Sequence, residues 1–260
     1  MKVIAYIFIF FAVTLYACQK VINIDLKDVD KKYVIEGIVN DGPGPYTVKI
    51  SQTKNFSDDN NFATISGAQV IISDNTGIID TLRETSNGSY TTSRITGAQG
   101  RTYNLLVNIG GSSFSASSTM PAKVMLDSIY ITTIDFFGNT VKSLIPAFTD
   151  PKNIKNNYHF EQWKNGILDK TLFSQNDEFS DGKVNSRPLI TEDIDSAFKS
   201  NDIARLEMQC VDDNVYNYWT SLEQSTGSGT APANPVSNIK GGALGYFSAH
   251  TSEIREIVVK

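Results

Sequence analysis

The strongest constraint in this sequence is an alternation of apolar and polar residues along short segments that Gly, Pro, Asn and Asp separate. The segment 33–40 (YVIEGIVN) alternates in this way, and so does 46–53 (YTVKISQT). A period of two residues is typical of a half-buried β-strand. Between these segments, 41–45 holds two prolines and two glycines, whose backbone restrictions favour a turn. The sequence therefore predicts a β-hairpin over 33–53.

The same pattern continues as far as Pro121. Asn87-Gly88 is typical of a tight hairpin turn, and the turn signals recur about every eight to twelve residues, as in small β-sandwiches. We expect one antiparallel β-sandwich domain over 33–121. Its further predicted strands are 67–74, 78–85, 89–95, 101–110 and 112–120.

Residues 122–260 are expected to form a second β-rich domain with one or two short helices. Asp212-Asp213 can cap a helix, because Val215, Tyr218 and Trp219 follow at helical spacing. The segment 191–199 fits either a second short helix or a loop. The predicted strands are 126–138, 141–150, 157–166, 167–175, 202–211, 245–250 and 255–260.

The N-terminus carries an export signal, predicted over 1–17. Val3 to Tyr16 is an uncharged run of 14 residues, shorter than the ~20 apolar residues that a membrane-spanning helix needs. The run ends in Leu15-Tyr16-Ala17-Cys18, which resembles the bacterial lipobox, although Tyr16 is larger than the usual residue. We expect cleavage between Ala17 and Cys18 and acylation of Cys18, with 18–32 as a polar tether. The alternative is an ordinary secretory signal.

Composition excludes several classes of function. The formal net charge is −5, whereas nucleic-acid binders carry clustered Lys and Arg. With only two Cys and two His, a disulfide scaffold and a thiolate metal centre are excluded. With Cys18 acylated, Cys210 has no partner, and its alternating surroundings place it on the core face of a strand.

Candidate site residues are few, and each has an ordinary structural explanation beside the functional one. Asp177 and Asp181 could ligate calcium in an irregular loop, or the loop could simply be solvated. Trp163, Tyr216 and Trp219 could form a ligand platform, or belong to the core. No catalytic motif occurs, and no cofactor is expected. A catalytic pairing of His159 or His250 with carboxylates stays open.

Four stretches together make the chain similar to one known family. The resemblance to domain-of-unknown-function family 4249, lipoproteins of Bacteroidota envelopes, implies an outer-membrane protein held by a lipid anchor, on a face that the residues do not specify. It also implies an accessory role beside TonB-dependent receptors, and no established activity. The stretches are 18–26 (CQKVINIDL), 33–37 (YVIEG), 44–51 (GPYTVKIS) and 235–247 (PVSNIKGGALGYF).

The first predicted domain also resembles carboxypeptidase-regulatory or transthyretin-like modules. Such modules usually present or dock and are rarely catalytic. The matching residues are 35–39 (IEGIV), 67–70 (GAQV), 88–90 (GSY) and 103–107 (YNLLV).

The expected function is that of a non-enzymatic accessory or ligand-binding protein, anchored to a membrane and acting with an outer-membrane receptor. Two alternatives follow from the same sequence: a carbohydrate-active protein or other hydrolase with its site in the second domain, and an adhesin-like structural protein. A pocket that combines His159 or His250 with two carboxylates would favour the hydrolase.

Overall fold

The computed structural model describes residues 30–54, 62–136, 138–191, 197–226 and 233–260. Ala17, Cys18 and most of the predicted tether lie outside these residues, as does the middle of the segment 191–199. Within the described residues, no helix combines the length and the apolar character needed to cross a bilayer.

Every strand predicted for the first half of the chain is present. β1 and β3 pair antiparallel, which confirms the predicted hairpin. The described strands are β1 (Tyr33–Asn40), β2 (Gly42–Pro43), β3 (Thr47–Gln52), β4 (Ala63–Thr64), β5 (Gln69–Asp74), β6 (Ile79–Thr81), β7 (Arg83–Ser86), β8 (Ser89–Thr91), β9 (Thr96–Gly97), β10 (Thr102–Ile109) and β11 (Ser112–Thr119).

These strands form two facing sheets, which confirms the sandwich. One side of the sandwich is β1-β3-β8-β7, which is the end of a ten-stranded sheet, and the other is the four-stranded sheet β11-β10-β5-β6. The alternation predicted for the segments decides which side chains meet between them, because successive residues of a strand point to opposite faces. Each fully buried aliphatic or aromatic side chain contributes about 1.5–3 kcal/mol. The core includes Ile35, Val48, Ile50, Val70, Ile72, Tyr90, Tyr103, Leu105 and Val107.

The predicted strand 78–85 divides at Leu82. β6 pairs with β5 in one sheet, whereas β7 pairs with β8 in the other. Leu82 itself is buried, and its amide donates to the Val70 carbonyl at 2.9 Å. The apolar side chain is thus inserted where the chain crosses from one sheet to the other, so a single alternating segment forms two short strands.

The second half is also β-rich. Its helix starts at the predicted cap, because the Asp212 carboxylate accepts a hydrogen bond from the Val215 amide at 2.9 Å. The elements are β12 (Ser128–Phe136), β13 (Asn139–Ala147), β14 (Asn157–Lys164), β15 (Ile167–Leu168), β16 (Phe173–Asn176), β17 (Ile203–Cys210), α1 (Asp213–Thr226) and β18 (Leu244–Val258).

A second hydrophobic core lies beneath β14 and β17. Tyr158, Phe160, Leu206 and Met208 are buried there, and every second residue of each strand faces this core. Cys210 belongs to the same core, with 2% of its surface exposed, as the alternation around it predicts. Burial raises the pKa of its thiol, so the thiolate that reacts or binds metals is disfavoured.

β18 joins the two halves. The sequence predicts separate strands at 245–250 and 255–260, but the structure has one strand that pairs parallel with β1 and then antiparallel with β17. Gly245 has φ +93°, and a Cβ there would lie 2.1 Å from the Ile35 carbonyl oxygen, so only glycine fits. The core of the sandwich includes Phe247 and Ala249. The predicted boundary at 121–123 falls between β11 and β12 and stays a prediction.

Candidate functional site

A row of polar side chains crosses the face of β14 and β17 that points away from the second core. His159, Glu161 and Trp163 alternate along β14, and the register sets Gln209, Glu207 and Arg205 opposite them in that order. We call these six residues the polar row. Directly opposed residues of antiparallel strands have Cβ atoms about 5 Å apart. The strand pairing alone therefore places charged groups from distant parts of the chain side by side.

Helix α1 packs on one end of the polar row, where four aromatic rings meet. We call them the aromatic cluster: His159 from β14, Tyr218 and Trp219 from α1, and Tyr246 from β18. The Trp219 ring stacks on the His159 ring, with centroids 4.1 Å apart and planes 6° apart. The centroid of the Tyr246 ring lies 4.9 Å from that of Trp219 and 4.8 Å from that of Tyr218. Pairs with this geometry contribute roughly 0.5–1.5 kcal/mol beyond their buried area. The cluster fixes the helix on the sheet.

Both histidines are buried and uncharged at neutral pH. Burial, and then the neighbouring His250, lowers the pKa of His159 to about 3; burial lowers the pKa of His250 to about 4. The Nδ1 atom of His159 lies 3.3 Å from the Ser174 hydroxyl, and that of His250 lies 2.8 Å from the Ser248 hydroxyl. A general acid–base group works best with a pKa near the operating pH, so neither ring is suited to this role at pH 7.

Glu161 and Glu207 form a pair of opposed carboxylates within the polar row. Burial raises the pKa of Glu161, the charge of Glu207 raises it further, and Arg205 opposes this. Glu207 accepts hydrogen bonds from the Ser252 hydroxyl at 2.7 Å and from the Gln209 amide at 3.3 Å. A carboxyl group such as Glu161, whose pKa is raised by burial and by a neighbouring charge, is a feature of many acid–base sites.

An open cleft of about 430 Å³ lies beside the aromatic cluster on the outer face of the sandwich. Its charged groups are Glu36 and Lys49, which are opposed in the β1–β3 register. Tyr246 pairs with Glu36 from the other side, and Ile38 adds exposed apolar surface. Ligand pockets commonly have about 300–1,000 Å³ and combine apolar surface with a few placed polar groups. The lining residues are Glu36, Ile38, Asn40, Pro45, Tyr46, Thr47, Lys49 and Tyr246.

A comparison with protein-family models identifies the chain. The model described as "Domain of unknown function (DUF4249)" matches residues 19–255, which is nearly the whole sequence. The chain belongs to the DUF4249 family. A search of curated proteins finds no match to this DUF4249 chain.

The DUF4249 fold separates the three predicted platform residues. Trp219 lies within the aromatic cluster, while the Trp163 ring is covered by the Arg205 guanidinium, 4.5 Å from its centroid. Tyr216 is half-buried on α1, and its pKa is raised by burial and by the charge of Glu223. No ring contact joins the three in the described part of the chain. Tyr246, which the predicted platform omits, lies between Trp219 and the cleft.

Only part of the cleft could be predicted from the sequence. Alternation along the predicted hairpin assigns Glu36 and Lys49 to the outward face of adjacent strands. It does not indicate that Tyr246, almost two hundred residues away, completes the same surface. The alternation of apolar and polar residues indicates which face of a strand points outward, but it does not indicate which strand pairs with which.

The predicted calcium ligands do come together. One carboxylate oxygen each from Asp150, Asp177 and Asp181 lies within 4.8 Å of the others. The pattern of the loop points to Asp177 and Asp181, but Asp150 follows β13 and enters the group only through the tertiary fold. We call these three residues the aspartate cluster.

Proposed function

We propose that this DUF4249 chain is a non-enzymatic, lipid-anchored protein of the Bacteroidota cell envelope that binds a ligand or partner in the cleft between Glu36, Lys49 and Tyr246. The cleft is the observation that carries the proposal. It offers one carboxylate, one ammonium group and adjoining apolar surface, on strands whose positions are fixed by pairing. Sites built on strands are held more firmly than sites built on loops. A ligand with an apolar part and polar or charged groups at both ends, such as a short peptide, suits this arrangement.

The proposed anchor is the acylated Cys18. In its support, the residues up to Cys18 resemble a lipobox, and the first strand among the described residues begins at Tyr33. Several acyl chains, at about 0.8 kcal/mol for each buried methylene, hold a protein firmly in a bilayer.

Labelling with radioactive palmitate tests the anchor. The Cys18→Ala variant should incorporate no palmitate and should leave the membrane fraction. The matched control is Cys210→Ala, which removes a buried thiol and should keep both the label and the membrane location. Unchanged labelling of the Cys18→Ala chain would refute the lipoprotein assignment.

The proposed partner is an outer-membrane receptor of the TonB-dependent type, and the sandwich, which we take to be transthyretin-like, would dock or present a ligand to it. Affinity purification of the tagged full chain from membranes tests this. A double variant, Glu36→Lys with Lys49→Glu, keeps opposite charges on opposed positions while reversing the polarity of the cleft. We expect it to lose the co-purifying receptor. Asp127→Lys, at an exposed carboxylate outside the cleft, should retain it.

A hydrolase is the second candidate, because the polar row places Glu161, with its raised pKa, directly opposite Glu207. Most glycosidases use a pair of carboxyl groups, one of which is a general acid with a raised pKa. A screen with chromogenic glycosides tests it. Turnover by the natural chain that both Glu161→Gln and Glu207→Gln abolish would establish the enzyme and refute the non-enzymatic proposal. Absence of turnover supports binding alone.

A further inference from the structure

The aspartate cluster joins two separate parts of the chain. Asp150 lies after β13, and Asp177 and Asp181 lie in the turn that follows β16. The turn is held against the end of β13, because the Asp150 amide donates to the Lys183 carbonyl at 2.9 Å and the Asn185 amide to the Phe148 carbonyl at 2.7 Å. The three carboxylates are therefore placed by backbone contacts and do not depend on one another for their positions.

Asp150 is buried, but its hydrogen bonds to the described residues satisfy only one of its two carboxylate oxygens. Only 1% of its surface is exposed. Its Oδ1 atom accepts a hydrogen bond from the buried Tyr158 hydroxyl, whereas its Oδ2 atom is buried and has no hydrogen-bond partner among the described residues. A buried polar atom without a partner is costly, and more so when the group is charged. Burial raises the pKa of Asp150, and the charges of Asp177 and Asp181 raise it further, while the Tyr158 hydroxyl and the nearby Gly182 amide act in the opposite sense.

The other two carboxylates are partly satisfied by backbone amides. The Asn156 amide donates to Asp177 at 2.9 Å, and the Asn153 amide donates to Asp181 at 2.6 Å. Each of these bonds occupies one carboxylate oxygen, so the remaining oxygens are free to coordinate. No lysine or arginine forms an ion pair with the cluster among the described residues. Asp177 and Asp181 thus bring two further carboxylates to the buried Asp150, and no basic side chain among the described residues pairs with them.

We propose that Asp150, Asp177 and Asp181 bind one calcium ion, with the unpartnered oxygen of Asp150 as its buried ligand. Hard divalent cations take carboxylate oxygens, and Ca²⁺ accepts the irregular geometry of a loop. One oxygen from each carboxylate lies within 4.8 Å of the other two, so small side-chain adjustments suffice to bring all three to the ~2.4 Å of a Ca–O bond. Mg²⁺ demands a near-ideal octahedron of ligands, which this irregular turn does not supply, so the site favours calcium. The ion would fasten the turn after β16 to the end of β13.

Calcium titration of the full chain, first freed of metal with EDTA, tests the proposal. We expect one Ca²⁺ to bind in isothermal titration calorimetry and to displace Tb³⁺ from the protein. Saturating Ca²⁺, at about 100 times the dissociation constant, should raise Tm by roughly 5 °C or more. Mg²⁺ at the same concentration should give a clearly smaller rise.

The variant Asp181→Asn is the principal probe, because Asp181 is exposed and Asn keeps the oxygen that accepts the hydrogen bond from the Asn153 amide. It should weaken Ca²⁺ binding at least tenfold. Asp135→Asn, at an aspartate of β12 outside the cluster, should bind as the natural chain does. Asp150→Asn should abolish binding; should that chain fail to fold, Asp177→Asn takes its place. The proposal is overturned if millimolar Ca²⁺ gives neither heat nor a rise in Tm, if Mg²⁺ matches Ca²⁺, or if Asp181→Asn binds Ca²⁺ unchanged.

Discussion

The contribution of β18 to the sandwich can be tested at Phe247. This residue is fully buried (0% exposed) in the core of the sandwich. It pairs with Gly37 across the parallel β1–β18 register, and a Cβ on Gly37 would lie 2.9 Å from the Phe247 ring. The ring therefore occupies space that the glycine leaves. Phe247→Ala would leave a cavity that the surrounding strands cannot close without breaking their pairing.

The expected cost is large for a protein of this size. A Phe→Ala change in a packed core lowers the free energy of unfolding by about 3–5 kcal/mol, out of a total that is typically 5–15 kcal/mol. In urea, where the free energy of a chain this long falls by about 3 kcal/mol per molar denaturant, the midpoint should decrease by roughly 1–2 M. The control is Val258→Ala in the same strand, because Val258 is 62% exposed and surface changes usually stay within about 0.5 kcal/mol.

Two probes make the assay informative about the whole chain. Circular dichroism follows all the sheets, whereas tryptophan fluorescence follows only Trp163 and Trp219, which both lie in the second half. Because β18 pairs with β1 and with β17, we expect both transitions to move together. A cost below about 1 kcal/mol would refute the packing argument. A fluorescence midpoint that stays fixed while the dichroism midpoint falls would show instead that the two halves unfold independently, as the boundary at 121–123 predicts.

Three further outcomes are expected. His159 and His250 have their pKa lowered to about 3 and about 4, so below about pH 6.5 the unfolded chain binds protons that the native chain does not. The free energy of unfolding should fall by roughly 2 kcal/mol for each histidine between pH 7 and pH 5. The raised pKa of Glu161 acts in the opposite sense, and a flat or rising profile in urea unfolding at these two pH values would contradict the expectation. Asp212→Ala should cost about 1–2 kcal/mol in the same assay because it removes the helix cap, whereas an unchanged midpoint would show that the cap is dispensable. Cys210 should react with a thiol reagent only at the rate of unfolding, since it is buried with a raised pKa; rapid labelling of the native chain would contradict this.

Local features of the fold were predictable because local forces determine them. Alternation defines which residues of β1, β3 and β10 face the core, and the cap at Asp212 begins α1. Asn165-Gly166 makes the predicted turn between β14 and β15, with positive φ at both residues, as a tight hairpin requires. Each of these features depends on residues within a few positions of one another.

The site depended on contacts that no local pattern specifies. Alternation shows which face of a strand is buried, but it does not show which strand lies beside it. Parallel strands such as β1 and β18 are not joined by a short turn, so no turn motif in the sequence predicts their pairing. The cleft at Tyr246 exists only because of that pair. The same holds for Asp150, which completes the aspartate cluster from the segment after β13.

The sequence by itself determined that this protein is a mainly β DUF4249 chain, with most of its strands, its helix and its buried cysteine at the predicted positions. The tertiary structure decided that one C-terminal strand completes both cores and that the carboxylates and aromatic rings meet where they do. The physical reason is that secondary structure follows from hydrogen bonds and side-chain periodicity over a few residues. The neighbours of a strand follow from the burial of apolar surface over the whole chain.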